Sequence, residues 1–449
     1  MSIKRWALLL LLGVILFGLA IAMALTYAYR VTEVPAWATE IVRVATLQFL
    51  PRVVRFELVI AAGGACLAIG FWKLSGTLTA PFLVNAAADK GLAQIVAEHR
   101  FGPTRPVLSV VAIGGGTGLS SLLRGLKLHH DVALTAIVTV ADDGGSTGRI
   151  RSEFDIPAPG DIRNCLVALA DDESLVGQLF QYRFDQVGSQ LAGHSFGNLF
   201  ITALAQVTGS FEQAVIETAN VLAIRGRVLP STLANVTLCA ELVDSTVIRG
   251  ESRIPDKHAP IKRVFLEPGQ PPAYDPALAA IQNADLVILG PGSLYTSVLP
   301  NLLVDGVVHA LRWSRGKVVY VCNVATQPGE TDHFSALDHI RTVTDQLGPD
   351  ILDGVLVNSN RASAAAIGPD EPINPVLAEG LERVPPGLTV VSRDVVSDRN
   401  PLRHDPDKLA AVLLEIGRGV VPLATPPPTV VVSPVREPTL VGEQIRRRA

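Results

Sequence analysis

The segment Val107–Ser120, VLSVVAIGGGTGLS, constrains the fold more than any other. A continuous apolar run stops at three successive glycines and passes at once into a helix-like pattern. Val, Ile and Leu without polar alternation suit a strand covered on both faces, the situation of a parallel sheet. Glycines at its carboxyl end let backbone N–H groups approach a phosphate, and the helix N-terminus that follows adds positive character. Gly114, Gly115, Gly116, Thr117 and Gly118 are therefore candidate ligand contacts. The spacing is not the dinucleotide fingerprint, because Leu119 stands where its last glycine belongs, and no Gly-Lys-Ser/Thr follows to make a Walker A loop. For this segment alone, a plain tight turn is the equal alternative.

The rhythm repeats. Leu134–Val140, Leu286–Leu289, Val318–Val321, Gly354–Val357 and Leu388–Ser392 read as short buried strands, and Leu119–Leu128, Phe211–Leu222, Ser335–Leu347 and Leu409–Arg418 as helices. The expected class is α/β, a Rossmann-like doubly wound and mainly parallel sheet over residues 101–420, with sites at the carboxyl ends of its strands. Asn235–Glu267 breaks the rhythm and reads as a hairpin inserted beside the main sheet. From residue 421 the chain is rich in proline, as in ATPPPTVVVSPVREP, and reads as a disordered tail.

Each later loop offers polar groups. ADDGGSTGRIR follows the second strand: Asp142 and Asp143 suit a divalent cation, Gly144, Gly145, Ser146 and Thr147 add donors, and Arg149 adds a fork for phosphate. The alternative is a surface turn, which this density of Asp and Gly makes the weaker reading. PGDIRN places Asp161 as an N-cap, which leaves Arg163 and Asn164 unexplained by capping. In GHSFGN, His194 has no acidic partner at metal spacing, so a zinc site is not expected. A Ser195–His194 nucleophile pair is not expected either, since chain neighbours rarely face each other. His194 and Asn198 read as ligand contacts or, equally, as helix-capping groups. Arg225 and Arg227 flank a glycine and on an extended stretch point the same way, as a pair for a diphosphate; solvated surface arginines are the alternative. LGPGSLYTS offers Gly292 and Ser293, with Tyr295 to stack on a base, and the run from Asn323 offers Thr326 and Gln327 as well.

Of 449 residues only 18% are charged and the net charge is −4, which argues against a nucleic-acid partner. Cys66, Cys165, Cys239 and Cys322 are scattered among apolar neighbours and form no C-x-x-C, so buried free thiols are expected. Residues 1–100 read as a membrane anchor. Trp6–Tyr29 carries no charge and exceeds the roughly 20 residues a span needs. It is too long for a secretory h-region and has no A-x-A exit. A second span runs from Leu58 to about Val84, interrupted by Lys73, and Glu40–Glu57 alternates arginines with apolar residues as an interfacial segment would. The sheet is thus expected to follow an N-terminal transmembrane helical hairpin. Lys and Arg are balanced across its flanks, so the cytoplasmic placement of both ends follows from the nucleotide-type loops instead.

Taken together, GGGTGLS, DDGGSTGRIR, PGDIRN, GHSFGNL, LAIRGRVLPST, GPGSLYTSVLPNLLV and CNVATQPGET make the chain resemble the gluconeogenesis factor (YvcK-like) family within the CofD-like 2-phospho-L-lactate transferase superfamily. The motifs follow family order over about Val107–Arg418, roughly two-thirds of the chain. Departures are Thr147 for a usual serine, Ala325 for a usual methionine, and the two N-terminal spans. The resemblance implies a ligand similar to a UDP-sugar and an influence on cell shape and envelope growth when carbon comes from gluconeogenesis. The transferase branch implies instead a phospholactyl group passing from a guanosine diphosphate donor to a deazaflavin. Asp142 and Asp143 would then be catalytic and hold magnesium, while Arg149 and Arg163 would steady the diphosphate. The expected partners are a nucleoside-diphosphate ligand and the membrane; the oligomeric state stays open, a homo-oligomer included.

Overall fold

A computed structural model describes residues 108–423, except 171–174, 186–188, 361–372 and 377, and a few positions between Leu50 and Ala61. The chain divides into two compact units, Met1–Pro103 and Thr104–Ala449. In the first, Val53, Val54, Glu57 and Ala61 are helical and exposed. The predicted spans lie outside the described residues save Ala61, as do Cys66 and the tail from residue 424. Among the described residues, no helix is long and apolar enough to cross a membrane.

The second unit is built on seven strands: β1 Leu108–Gly114, β2 Val132–Val138, β3 Arg227–Pro230, β7 Leu286–Leu289, β8 Lys317–Val321, β9 Gly354–Asn358 and β10 Thr389–Arg393. Their order is β3-β2-β1-β7-β8-β9-β10, and every neighbouring pair is parallel. Strand order reverses between β1 and β7, which opens a crevice at their carboxyl ends. The apolar runs fill the middle of the sheet: Val110, Ile113, Ile137, Val287, Ile288, Val319 and Leu356 are fully buried. The predicted strands are all present within a few residues. The sheet's seventh member, β3, is foreshadowed in the sequence only as an extended stretch bearing two arginines. Its first residue is charged and its last is proline, so its sequence has little strand signature and it serves at the sheet edge.

Between β3 and β7, a second sheet of β4 Thr237–Leu242, β5 Val247–Arg249 and β6 Ile261–Glu267 is antiparallel, with order β5-β4-β6. The predicted inserted hairpin is thus three-stranded. The helices are α1 Gly116–Leu126, α2 Gly145–Phe154, α3 Pro159–Leu169, α4 Leu175–Gln181, α5 Phe196–Thr208, α6 Phe211–Leu222, α7 Asp275–Asn283, α8 Leu299–Leu302, α9 Val307–Arg312, α10 Ala336–Leu347 and α11 Pro406–Gly417. Helix α1 packs between α3 and α11, while α8 packs against α9 and α10. Gly125 allows the α1–α11 contact, since a Cβ there would strike the Pro406 carbonyl. Cys165, Cys239 and Cys322 are buried free thiols, as expected.

Candidate functional site

The switch-point crevice is a cleft of about 990 Å³. Its floor is the turn from β1 into α1, where Gly115 caps the helix without any side-chain cap. A Cβ on Gly118 would stand 2.7 Å from the Pro291 carbonyl oxygen, so the two glycine turns after β1 and β7 are in direct contact. Asn301, fully buried behind them, donates from Nδ2 to the Gly114 and Ser297 carbonyls at 3.1 and 2.8 Å. Of the sequence-predicted contacts, Gly115, Gly116, Thr117, Gly118, Arg163, Asn164, Gly292, Ser293, Asn323, Thr326 and Gln327 line this cleft. They come from four separate segments of the chain, two of them in the opening turns of helices.

The others are placed elsewhere. Gly114 ends β1 beneath the turn. Asp161 is not an N-cap: Ala158 holds that position, and Asp161 lies in the first turn of α3 with its buried carboxylate behind Gly115. Burial and the nearby Asp142 push the Asp161 carboxyl up to about 6, against the pull of the Gly116 amide that it accepts. Tyr295 does not stand free for a base. It is buried and packs edge-on against Phe334, because the π-helical turn Leu294–Val298 directs it inward.

Asp142 and Asp143 do not form a chelating pair facing the cleft. Asp142 Oδ1 accepts the Gly144 amide at 2.8 Å, whereas Asp143 Oδ1 accepts the Ser252 amide at 2.9 Å, in the inserted segment. Among the described residues, no three His, Cys, Asp or Glu side chains converge as a metal cage. Gly144, Gly145, Ser146, Thr147, Arg149, His194 and Asn198 form a polar network beside the cleft instead. Arg149 Nε donates to His194 Nε2 at 3.1 Å, which places the imidazole proton on Nδ1, 3.1 Å from Ser146 Oγ. Asn198 Nδ2 reaches Ser146 Oγ and Thr147 Oγ1 at 3.3 and 3.4 Å. His194 therefore donates to Ser146 and cannot be its base. The motifs DDGGSTGR and GHSFGN are thus docked onto each other, and a Cβ on Gly197 would stand 2.7 Å from Arg163 Cδ, so that glycine clears the path of the arginine stem.

Arg225 and Arg227 are not brought to the cleft. They stand exposed at the amino end of β3, where Arg225 Nη1 lies 3.4 Å from His130 Nδ1. Neither lines the cleft, and the register sets Arg227 beside Thr135, halfway along β2, on the edge strand of the sheet.

Several lining residues escaped sequence reasoning. Arg183 is one, and Burial and this second cation hold the Arg163 guanidinium below its ordinary value. Glu330, visible within CNVATQPGET, accepts from Ser293 Oγ at 2.9 Å on both oxygens, and burial pushes it up to about 7. Glu251 enters from the inserted sheet. Arg403 closes one wall, donating from Nη1 to Thr117 Oγ1 at 3.3 Å, and its neighbour His404 lies 3.2 Å from the Cys322 carbonyl. Nothing in the pattern PLRHD marks it in advance.

Fold and cleft together define an α/β protein with a polar cleft at the switch point of a parallel sheet. The family model for 2-phospho-L-lactate transferase CofD matches residues 110–396. The gluconeogenesis factor of Bacillus subtilis is 48% identical over 316 residues, covering 68% of this chain and 97% of that protein. A relative from Nostoc sp. is 44% identical over 92% of this chain and 90% of its own length. Thr104–Ala449 alone cannot supply that share, so the likeness includes residues of the N-terminal stretch. A crystal structure of a protein from Bacillus halodurans superposes with a TM-score of 0.65 at 46% identity, covering 68% of this chain and 99% of that one. The chain belongs to the gluconeogenesis factor family, within the CofD-like superfamily.

Proposed function

We propose that the body of this protein binds a nucleotide-sugar of the UDP-sugar type in the switch-point cleft. In this reading it acts as a regulator of cell shape and envelope growth under gluconeogenic conditions. One observation carries the ligand class: the uncapped glycine turn into α1 and the buried guanidinium of Arg163 line the same cleft. Backbone N–H groups, a helix N-terminus and a desolvated fork together suit a diphosphate. The N-terminal stretch anchors the body to the membrane, with the body in the cytoplasm, where nucleotide-sugars are made; the uncharged run Trp6–Tyr29 supports this.

The family-model match favours a second reading, transfer of a 2-phospho-L-lactyl group from a guanosine diphosphate donor to a deazaflavin. Magnesium would supply charge neutralisation for that step. Asp142 and Asp143 suit it poorly, since they are committed to different loops, and the carboxylates that line the cleft are Glu251 and Glu330. The regulator is preferred on that ground. Thermal-shift titration with UDP-glucose, UDP and guanosine diphosphate, followed by chromatography for products, tests both readings. The expected result is stabilisation by UDP-glucose with no turnover. Steady, magnesium-dependent formation of a phospholactyl product would establish the transferase.

A further inference from the structure

We propose that Glu251 reads the hydroxyl groups on the sugar part of the ligand, brought into the cleft by the β4–β6 insertion and held there by Asp143. The inference rests on the nucleotide-sugar reading and assigns the part of the cleft that the diphosphate leaves open.

Three buried polar atoms on residues lining the cleft have no partner: Arg163 Nε, Asn323 Oδ1 and Glu251 Oε2. Arg163 is 7% exposed and Asn323 is 9% exposed, so water does not readily serve them. Buried polar groups in folded proteins are normally paired, and an unpaired set in one cavity describes its missing occupant. One of the three atoms is a cationic donor, which asks for an anion. The other two are acceptors, which ask for O–H or N–H groups. A nucleoside diphosphate supplies the anion, with ribose and base donors on one side of it only. A sugar joined to the outer phosphate adds hydroxyl donors on the other side, which lets acceptors flank the cationic donor on both sides.

Glu330 is a weaker candidate for this role, since Ser293 and Thr296 already donate to its oxygens. Glu251 Oε2 is the carboxylate oxygen left open. Its placement is built, not incidental. Gly250 turns the chain with φ of +99°, and the Asp143 carboxylate occupies the space that a Cβ there would need. The same carboxylate accepts the Ser252 amide at 2.9 Å, so Asp143 packs against the residue before Glu251 and bonds the residue after it. Arg151 ties down the root of the insertion, donating from Nη2 to Asn235 Oδ1 at 2.7 Å and from Nη1 to the Asp142 carbonyl at 3.0 Å. Burial, with Asp142, Asp161, Glu330 and Asp143 around it, raises the Glu251 carboxyl well above its ordinary range.

The test is calorimetric titration of the full chain with UDP-glucose and with UDP, each against the native protein, Glu251→Ala and Glu251→Gln. The quantity read is the preference for UDP-glucose over UDP, with thermal melting reporting the fold of each variant. Glu251→Ala is expected to cut that preference by about ten-fold, the scale of one buried hydrogen bond. Glu251→Gln keeps a carbonyl acceptor of the same reach and is expected to retain most of it. An alanine variant that keeps the preference, or a glutamine variant that loses as much as alanine, overturns the proposal. Native protein that binds neither UDP-glucose nor UDP overturns the nucleotide-sugar reading, and this inference with it.

Discussion

The Asp161 carboxylate lies so close behind Gly115 that a methyl group on that glycine would stand 2.5 Å from Oδ2. The glycine turn of the cleft and the first turn of α3 are therefore one packed unit. Gly115→Ala must displace the carboxylate or the turn, and overpacking of this kind costs about 1–3 kcal/mol. Denaturant unfolding should show that loss together with weaker ligand binding. Native stability and affinity in the variant would show that the turn can shift freely.

Buried titratable groups pull the pH dependence of the ligand-free body in two directions, each of known sign. Asp161 and Glu330 are pushed up to about 6 and about 7 from ordinary values of 3.8 and 4.5. Each holds its proton more tightly in the folded chain, so its contribution is full below the ordinary value and is lost as pH rises through the folded one. His404 acts the other way: burial lowers it to about 4 from 6.5, so its contribution is full above 6.5 and lost as pH falls toward 4. Between about pH 4 and 7, raising the pH should therefore cost Asp161→Asn and Glu330→Gln less unfolding free energy than it costs the native protein. An unchanged slope in both variants would sink the assignment.

Arg151 is buried and donates to Asn235 and to the carbonyls of Ala141, Asp142 and Val236. Arg151→Leu leaves those acceptors unserved and should cost about 3 kcal/mol or more, given roughly 1.5–3 kcal/mol per charge-assisted bond. The inserted sheet should loosen first, which trypsin would report as early cleavage at Arg253 and Lys257. Cleavage no faster than in the native protein would mean that the insertion is held by other contacts.

Arg225→Ala and Arg227→Ala should leave nucleotide-sugar affinity unchanged, because both residues are exposed on or beside the edge strand and neither lines the cleft. A ten-fold loss in either variant, by titration, would return them to the binding site.

Much of this was legible in the sequence because the central strands are unbroken apolar runs. Leu286–Leu289 and Phe211–Leu222 have the bounds that periodicity assigns them. The loops at the strand ends were legible as well, since glycine and hydroxyl residues are conspicuous after Val, Ile and Leu. What was not legible is which polar residues in those loops face the cleft. Asp142 and Asp143 look like a metal pair in the chain, yet their carboxylates diverge toward Gly144 and Ser252, a residue more than a hundred positions away. Tyr295 looks like a stacking ring, yet a π-helical turn directs it into the core. Arg183, Glu251 and Arg403 have no local signature, because only tertiary packing brings them to the glycine turn.

The bond from Arg403 to Thr117 spans 286 positions, and α11 just beyond it packs on α1. During synthesis the first strand and its glycine turn emerge early, but the opposite wall of the cleft does not exist until α11 has left the ribosome. A nascent chain therefore carries an open half-site throughout most of its translation. Ligand can then stabilise the finished protein but has no complete cleft in which to guide the earlier stages of folding. A chain cut short before Arg403 would retain nearly every glycine motif and still lack a closed cleft.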